Sequence, residues 1–164
     1  GLGDVYKRQE VAPEILGKIL VRRYADGSTK KFLITEVEAY RGRDDKACHA
    51  HKGKTKRTEI MFREGGLVYV YLIYGIHWML NIVTGTKEDA SAILIRGLEN
   101  ISGPGKVGKS LQIDKSFYGE DLFTSQRIWI EDAGLKPKID AVPRVGIAYA
   151  GEPWISIPWR FRIS

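Results

Sequence analysis

Cysteine is almost missing from this chain: Cys48 is the only one among 164 residues. A single thiol rules out an internal disulfide framework and points to a reducing compartment. No apolar run approaches the ~20 residues that a bilayer span requires, and no secretory leader is visible. A soluble cytoplasmic protein is therefore expected, with no membrane partner. Internal repeats, low-complexity tracts and linkers are missing too, which leaves a single domain. Histidine is scarce. Cys48, His49 and His51 lie side by side, but the only other histidine is His77, and a structural zinc site wants four well-spaced ligands. No metal is expected, nor a catalytic Cys48, because no dedicated base accompanies it. Acidic residues fall short of basic ones, 20 against 26, for a net charge of +6. That surplus favours a polyanionic partner without naming one. What is present in quantity is apolar: hydrophobic residues make up 43% of the chain, too many for a disordered protein.

Periodicity supplies the elements. Residues 11–20 carry helical spacing, with Ile15, Leu16 and Ile19 on one face. Residues 19–24 turn extended, and Asp26-Gly27 signals a hairpin into a strand over residues 31–40. Residues 41–63 read as a polar loop with eight lysines or arginines. Residues 67–74 and 76–83 give the strongest strand signal. They meet at Tyr74-Gly75 as a hairpin with an aromatic residue at its tip. Further strands are expected at 92–95 and 127–131, with a closing strand pair over 154–163. Residues 103–108 read as a glycine-rich turn, 109–113 as part of a short helix, and 145–149 fits either class. The fold class is α+β: a single mixed domain, residues 10–164, with a curved, mostly antiparallel β-sheet and flanking helices. Residues 1–9 have no element pattern and read as a foreign scar outside the domain.

Four groups of residues could carry chemistry. On a strand, Glu36, Glu38 and Tyr40 share a face; paired carboxylates beside an aromatic can supply a general base, and an exposed polar face would give the same pattern. Tyr69, Tyr71, Tyr74, His77 and Trp78 near a basic loop suit a pocket that stacks an unpaired base, and an aromatic at a hairpin tip can wedge between base steps. Core or sheet surface is the plainer use of such tyrosines. Residues 103–110 match G-x-x-x-x-G-K-S letter for letter, with Glu131-Asp132 as a possible acidic strand. A phosphate-binding loop, however, needs a strand feeding directly into the first glycine within a parallel α/β sheet. The same backbone N–H groups, with Lys106, could instead face a nucleic-acid phosphate. The fourth group, 48–51, is the metal candidate set aside above.

The ordered series Glu36-Val-Glu-Ala-Tyr40, His49, Met61-Phe62, Tyr69-Val-Tyr71-Leu-Ile-Tyr74-Gly75, Asn81, Leu94-Ile-Arg96, Gly103-Pro-Gly-Lys106, Asp114-Lys-Ser-Phe117, Asp121-Leu122, Arg144-Val-Gly146 and Trp159-Arg-Phe161 resembles the alkyladenine (3-methyladenine) DNA glycosylase family. The resemblance runs from about residue 16 to residue 163. It implies a mixed domain with a protruding β-hairpin, and a monofunctional enzyme of base-excision repair that flips alkylated or deaminated purines out of double-stranded DNA and hydrolyses the N-glycosidic bond. Residue by residue, it makes Glu38 the general base that activates water and Arg96 the group that helps position that water. Tyr40, His49 and Tyr71 become the walls around the flipped base, and Asn81 the pocket floor that excludes the amino group of guanine. Tyr74 becomes the intercalating residue, and Thr55, Arg57 and Lys106 DNA-facing residues. Glu36 is the runner-up base. No lysine matches a family nucleophile, so neither a Schiff base nor a cofactor is implied. The resemblance further implies a monomer, associated with the bacterial nucleoid through DNA. The stretch between Arg96 and Gly103 is shorter than in many relatives, which trims a DNA-flanking loop, and relatives commonly continue past Ser164, so a fragment is expected. Two other readings stay open: a non-catalytic damaged-DNA-binding module, and a P-loop nucleotide hydrolase.

Overall fold

The computed structural model describes residues 11–42, 44–56, 58–62, 65–85 and 91–164; the segment 1–9 and Arg57 lie outside them. A short helix, α1 (Val11–Ile15), leads through Gly17 into β1 (Ile19–Arg23). The helical spacing seen over 11–20 stops early because Gly17 takes φ of 83°, which no right-handed helix accommodates. The Asp26-Gly27 hairpin forms as its sequence directs: Asp26 Oδ1 accepts the Ser28 N–H at 2.9 Å and Gly27 carries φ of 87°. The long β2 (Thr29–Arg41) follows. Short 3-10 turns at His49–Lys52 and Glu59–Phe62 interrupt the basic loop before β3 (Val68–Ile73), β4 (His77–Val83) and β5 (Ser91–Leu98).

Two expectations need correction. Residues 103–108 are not a turn: after a two-residue strand, β6 (Ile101–Ser102), only Gly103 stays outside helix α2 (Pro104–Ser110). Proline at the first helical position is pre-set for that role and outweighs the glycines. Residues 154–163 are not a strand pair. Only β9 (Arg160–Ile163) is extended, and it pairs with β2 and with β8 (Ile139–Val142), a strand the periodicity did not reveal. Residues 145–149, left open between the two classes, form no strand and run into a 3-10 turn at Ala148–Ala150. The remaining strand is β7 (Ile128–Glu131).

The strands build one curled sheet in the order β3-β4-β5-β2-β1-β7, with β9 and β8 added beside β2 and β6 beside β5; the ladders among the described residues are antiparallel. Alternation along each central strand gives this sheet two unlike faces. One face carries Val37, Val68, Val70, Leu80, Ile82, Ile93 and Ile95. It packs with Ile15, Leu16, Val107, Leu111 and Phe117 into the main core. The other presents Glu36, Glu38 and Tyr40 from β2, Tyr69 and Tyr71 from β3, Met79 and Asn81 from β4, and Leu94 and Arg96 from β5. Helix α2 seals the core side by lying directly on β4: a Cβ built on Gly108 would sit 2.0 Å from the Trp78 carbonyl oxygen.

Candidate functional site

The second face of the sheet opens into a cavity of about 440 Å³, within the size range of small-ligand pockets. Glu38, Tyr40, His49, Tyr71, Asn81 and Arg96 all line it, and Tyr74 stands at its edge. These seven residues come from four strands, a hairpin tip and the basic loop, so only the folded sheet collects them.

Glu38 is fully buried, at 0% exposure. Its carboxylate is held from three sides. Tyr40 Oη donates to Oε1 at 2.9 Å, the Val145 N–H donates to Oε2 at 2.7 Å, and Arg96 Nη1 lies 3.6 Å from Oε1. A buried charge needs partners of this kind. Burial, then the Glu38 charge, lifts the Tyr40 hydroxyl well above the usual tyrosine range, so Tyr40 stays protonated and keeps donating. Arg96 reaches Glu38 through an irregularity in the ladder. Glu36 pairs with Gly97, but Val37 pairs with Ile95, which leaves Arg96 as the extra residue on β5; such bulges re-aim a side chain. Arg96 Nε lies 3.4 Å from Glu36 Oε2, while Arg160 Nη1 donates to that same oxygen at 3.0 Å. Glu36 is thus engaged with two arginines and is not among the cavity-lining residues.

Aromatic rings form the walls. His49 meets Tyr71 edge-on with centroids 4.5 Å apart, its Nδ1 hydrogen-bonds with Tyr69 Oη at 2.9 Å, and Tyr69 and Tyr71 tilt together at 5.5 Å. Asn81 is buried, opposite Tyr69 on one side and Leu94 on the other, and its Nδ2 donates to the Met79 carbonyl at 3.4 Å. Tyr74 is 90% exposed at the β3–β4 tip, where it and Gly75 take φ of 55° and 69°, two positive φ in succession as in the primed hairpin turns.

The remaining predicted residues sit apart from the cavity. Lys106 is exposed on α2 and Thr55 is exposed in the basic loop. Thr55 Oγ1 accepts the Thr58 N–H at 3.2 Å and bonds with Thr58 Oγ1 at 2.9 Å, a local brace ahead of the 59–62 turn. Cys48, His49 and His51 diverge: Cys48 is buried in a small apolar cluster with its thiol pushed up to about 12 by burial, His49 faces the cavity, and His51 is exposed.

The G-x-x-x-x-G-K-S run is likewise no phosphate loop. Although β6 feeds into Gly103, it is an antiparallel two-residue strand. The Val107 and Leu111 N–H groups close onto Gly103 and Val107 carbonyls inside the helix, and Gly105 and Gly108 serve the close contact with His77 and Trp78. Glu131 and Asp132 pair with Lys31 and Lys18 near the far edge of the sheet.

Sequence reasoning missed one wall of the cavity: Val145, Gly146, Ile147 and Tyr149. It also missed the buried pair behind that wall, Asp45 and Arg144. The ordered series contained Arg144-Val-Gly146, but nothing in its spacing pointed to a role.

Comparison with known proteins places relatives beside this geometry. The family described as Methylpurine-DNA glycosylase matches residues 5–103 and 99–164. A protein of Psychrobacter cryohalolentis is 42% identical over 171 residues, covering 87% of this chain and 81% of its own. One of Methanocella arvoryzae is 41% identical, covering 96% and 89%, and one of Rickettsia felis is 45% identical, covering 94% and 86%. All three carry the name "Putative 3-methyladenine DNA glycosylase".

Proposed function

The chain belongs to the methylpurine-DNA glycosylase family, and from that premise we propose that it excises alkylated or deaminated purines from double-stranded DNA by hydrolysing the N-glycosidic bond. The observation that carries the reading is Glu38: a carboxylate without solvent exposure, aimed into a tyrosine-walled cavity beside Arg96.

The target bond lies inside the base stack, so the nucleotide must be turned out of the duplex, at a cost of a few kcal/mol that is smallest for damaged or mispaired bases. Tyr74, projecting from the hairpin tip, offsets part of that cost by filling the vacated space. Within the cavity the tyrosine faces favour an electron-poor, positively charged purine such as 3-methyladenine, by roughly 0.5–2 kcal/mol over a neutral one. The buried Asn81 at the floor disfavours a purine carrying the guanine amino group.

Cleavage then needs a water and a charge. As the bond from the deoxyribose to the purine nitrogen lengthens, its electron pair leaves with the base and positive charge develops on the sugar. The Glu38 carboxylate stabilises that charge and takes a proton from the attacking water, whose oxygen bonds to the anomeric carbon. A cationic alkylpurine departs neutral, whereas a neutral base such as hypoxanthine departs as its anion and is neutralised by the proton taken from the water; either way an abasic site remains. Arg96, 3.6 Å from the carboxylate, helps orient both the carboxylate and the water. No covalent enzyme intermediate is required.

The test is single-turnover release of free base from a duplex carrying one hypoxanthine or one alkylated adenine. The parent is expected to release base. Glu38→Gln is expected to bind the same duplex and to be slower by about 10²–10⁴, the usual worth of a general base. Damage-specific binding without release by either protein would replace the enzyme with a binding module.

A further inference from the structure

The Glu38 carboxylate is held by an N–H from a loop 107 residues away, a loop tied just upstream by the bond from Arg160 Nε to the Pro143 carbonyl at 2.8 Å. Val145 itself is 48% exposed, so its side chain does not fix its backbone. Its neighbour does. Arg144 has no side-chain exposure and forms a two-pronged contact with the equally buried Asp45: Nη1 to Oδ2 at 2.7 Å and Nη2 to Oδ1 at 3.0 Å. Nη1 also donates to the Ala39 carbonyl at 3.0 Å and Nη2 to the Trp154 carbonyl at 3.4 Å. The guanidinium carbon lies 5.0 Å from the Tyr40 ring centroid and 5.1 Å from that of Trp159. Asp45 in turn accepts the Arg41 N–H at 2.9 Å and the Ala47 N–H at 3.0 Å.

We propose that the Asp45–Arg144 pair is a positioning device for Glu38, clamping residue 144 to the end of β2 so that the Val145 N–H fixes one carboxylate oxygen toward the cavity. Three segments meet at the pair. Ala39 lies between Glu38 and Tyr40 on β2, Asp45 sits four residues before His49, and Arg144 precedes Val145. One guanidinium therefore sets the spacing of three cavity walls. Buried ion pairs are weak sources of stability, since well-packed apolar replacements often do as well. What an apolar replacement lacks is the fork geometry, which dictates both distance and orientation. Sub-ångström placement is what a general base requires.

This inference rests on the proposed glycosylase reading, and the experiment separates the two. Arg144→Lys keeps the charge but loses the fork; Val145→Pro removes the N–H that holds Glu38 and fixes φ at that position, so Val145→Ala, which keeps the N–H, is its control. All are measured for single-turnover release of hypoxanthine, for affinity toward a duplex bearing an uncleavable abasic analogue, and for melting temperature. Arg144→Lys and Val145→Pro are each expected to slow release roughly ten- to a hundredfold, the worth of one hydrogen bond to a charged group, with affinity changed by less than about threefold. The double variant is expected to be about as slow as the slower single, because both changes act through one N–H. Unchanged release in folded Arg144→Lys or Val145→Pro, or effects that multiply in the double variant, would overturn the proposal. The Val145 amide gives a readout that needs no variant. In the parent it is expected to exchange slowly with solvent although residue 145 is half exposed, and fast exchange there overturns the clamp by itself. If the parent releases no base, the glycosylase reading fails while the amide still decides whether residue 145 is held.

Discussion

Tyr74 shows how a single side chain can be held at a local cost. A non-glycine residue at φ of 55° carries about 1 kcal/mol of backbone strain, and at 90% exposure the ring recovers little of it by packing. Tyr74→Gly is therefore expected to leave the melting temperature where it is or raise it, while weakening binding to a hypoxanthine duplex roughly tenfold, the scale of one lost stacking contact. A lower melting temperature with affinity intact would show that the ring serves the fold. At this scale the sequence was informative wherever function is local. Glu36, Glu38 and Tyr40 share a face by alternation alone, and Tyr74 stands at a hairpin tip because Gly75 follows it. Asp45 was invisible for the opposite reason. It sits in a basic loop, next to Asp44, and its partner is 99 residues away, beyond the reach of any periodic pattern.

Among the elements, α2 is the most constrained by its neighbour. An alanine in a helix is normally favoured over glycine by about 1 kcal/mol. At position 108 the added methyl would lie 2.0 Å from the Trp78 carbonyl oxygen, and backbone cannot yield as a flexible side chain can. Gly108→Ala is expected to destabilise the protein by roughly 1–3 kcal/mol, read as a lower midpoint in urea unfolding; a gain in stability would mean that α2 can lift away from β4. The same contact explains why the glycine-rich run misleads as a motif: its glycines serve helix-on-strand packing, a demand that leaves no periodic trace. The long strands were legible because both of their faces are used, one apolar and one polar or aromatic. β6 and β8 were not, being only two and four residues long, and β8 is mostly exposed. The bulge that aims Arg96 depends on how β5 pairs with β2, which is a property of two strands and not of either sequence.

For the molecule as a whole, charge and chemistry are separated. The chain carries a net charge of +6, while Glu38 is closed off from solvent. Affinity for a duplex is expected to fall steeply with salt, with a log–log slope of roughly −3 to −6 for a few phosphate contacts. The rate of base release from the saturated complex should stay nearly flat over the same range, since the screening that weakens surface charges acts far less on buried ones. A rate that followed affinity down would place the reacting centre in contact with bulk ions. The half-curled antiparallel sheet with a protruding hairpin was foreseeable from the strand pattern and the family resemblance. The closing of the cavity by residues 145–149 was not.

The bond between the Val145 N–H and Glu38 also has a meaning in time. Contacts between distant parts of a chain close late, after the entropy of the intervening loop has been given up. The hairpins of the sheet can form early from neighbouring residues, but the hold on the Glu38 carboxylate is completed only when the C-terminal third arrives over the cavity. A refolding chain would thus have its tyrosine walls before Glu38 is fixed in place, and on the proposed reading competence would be among the last properties to emerge.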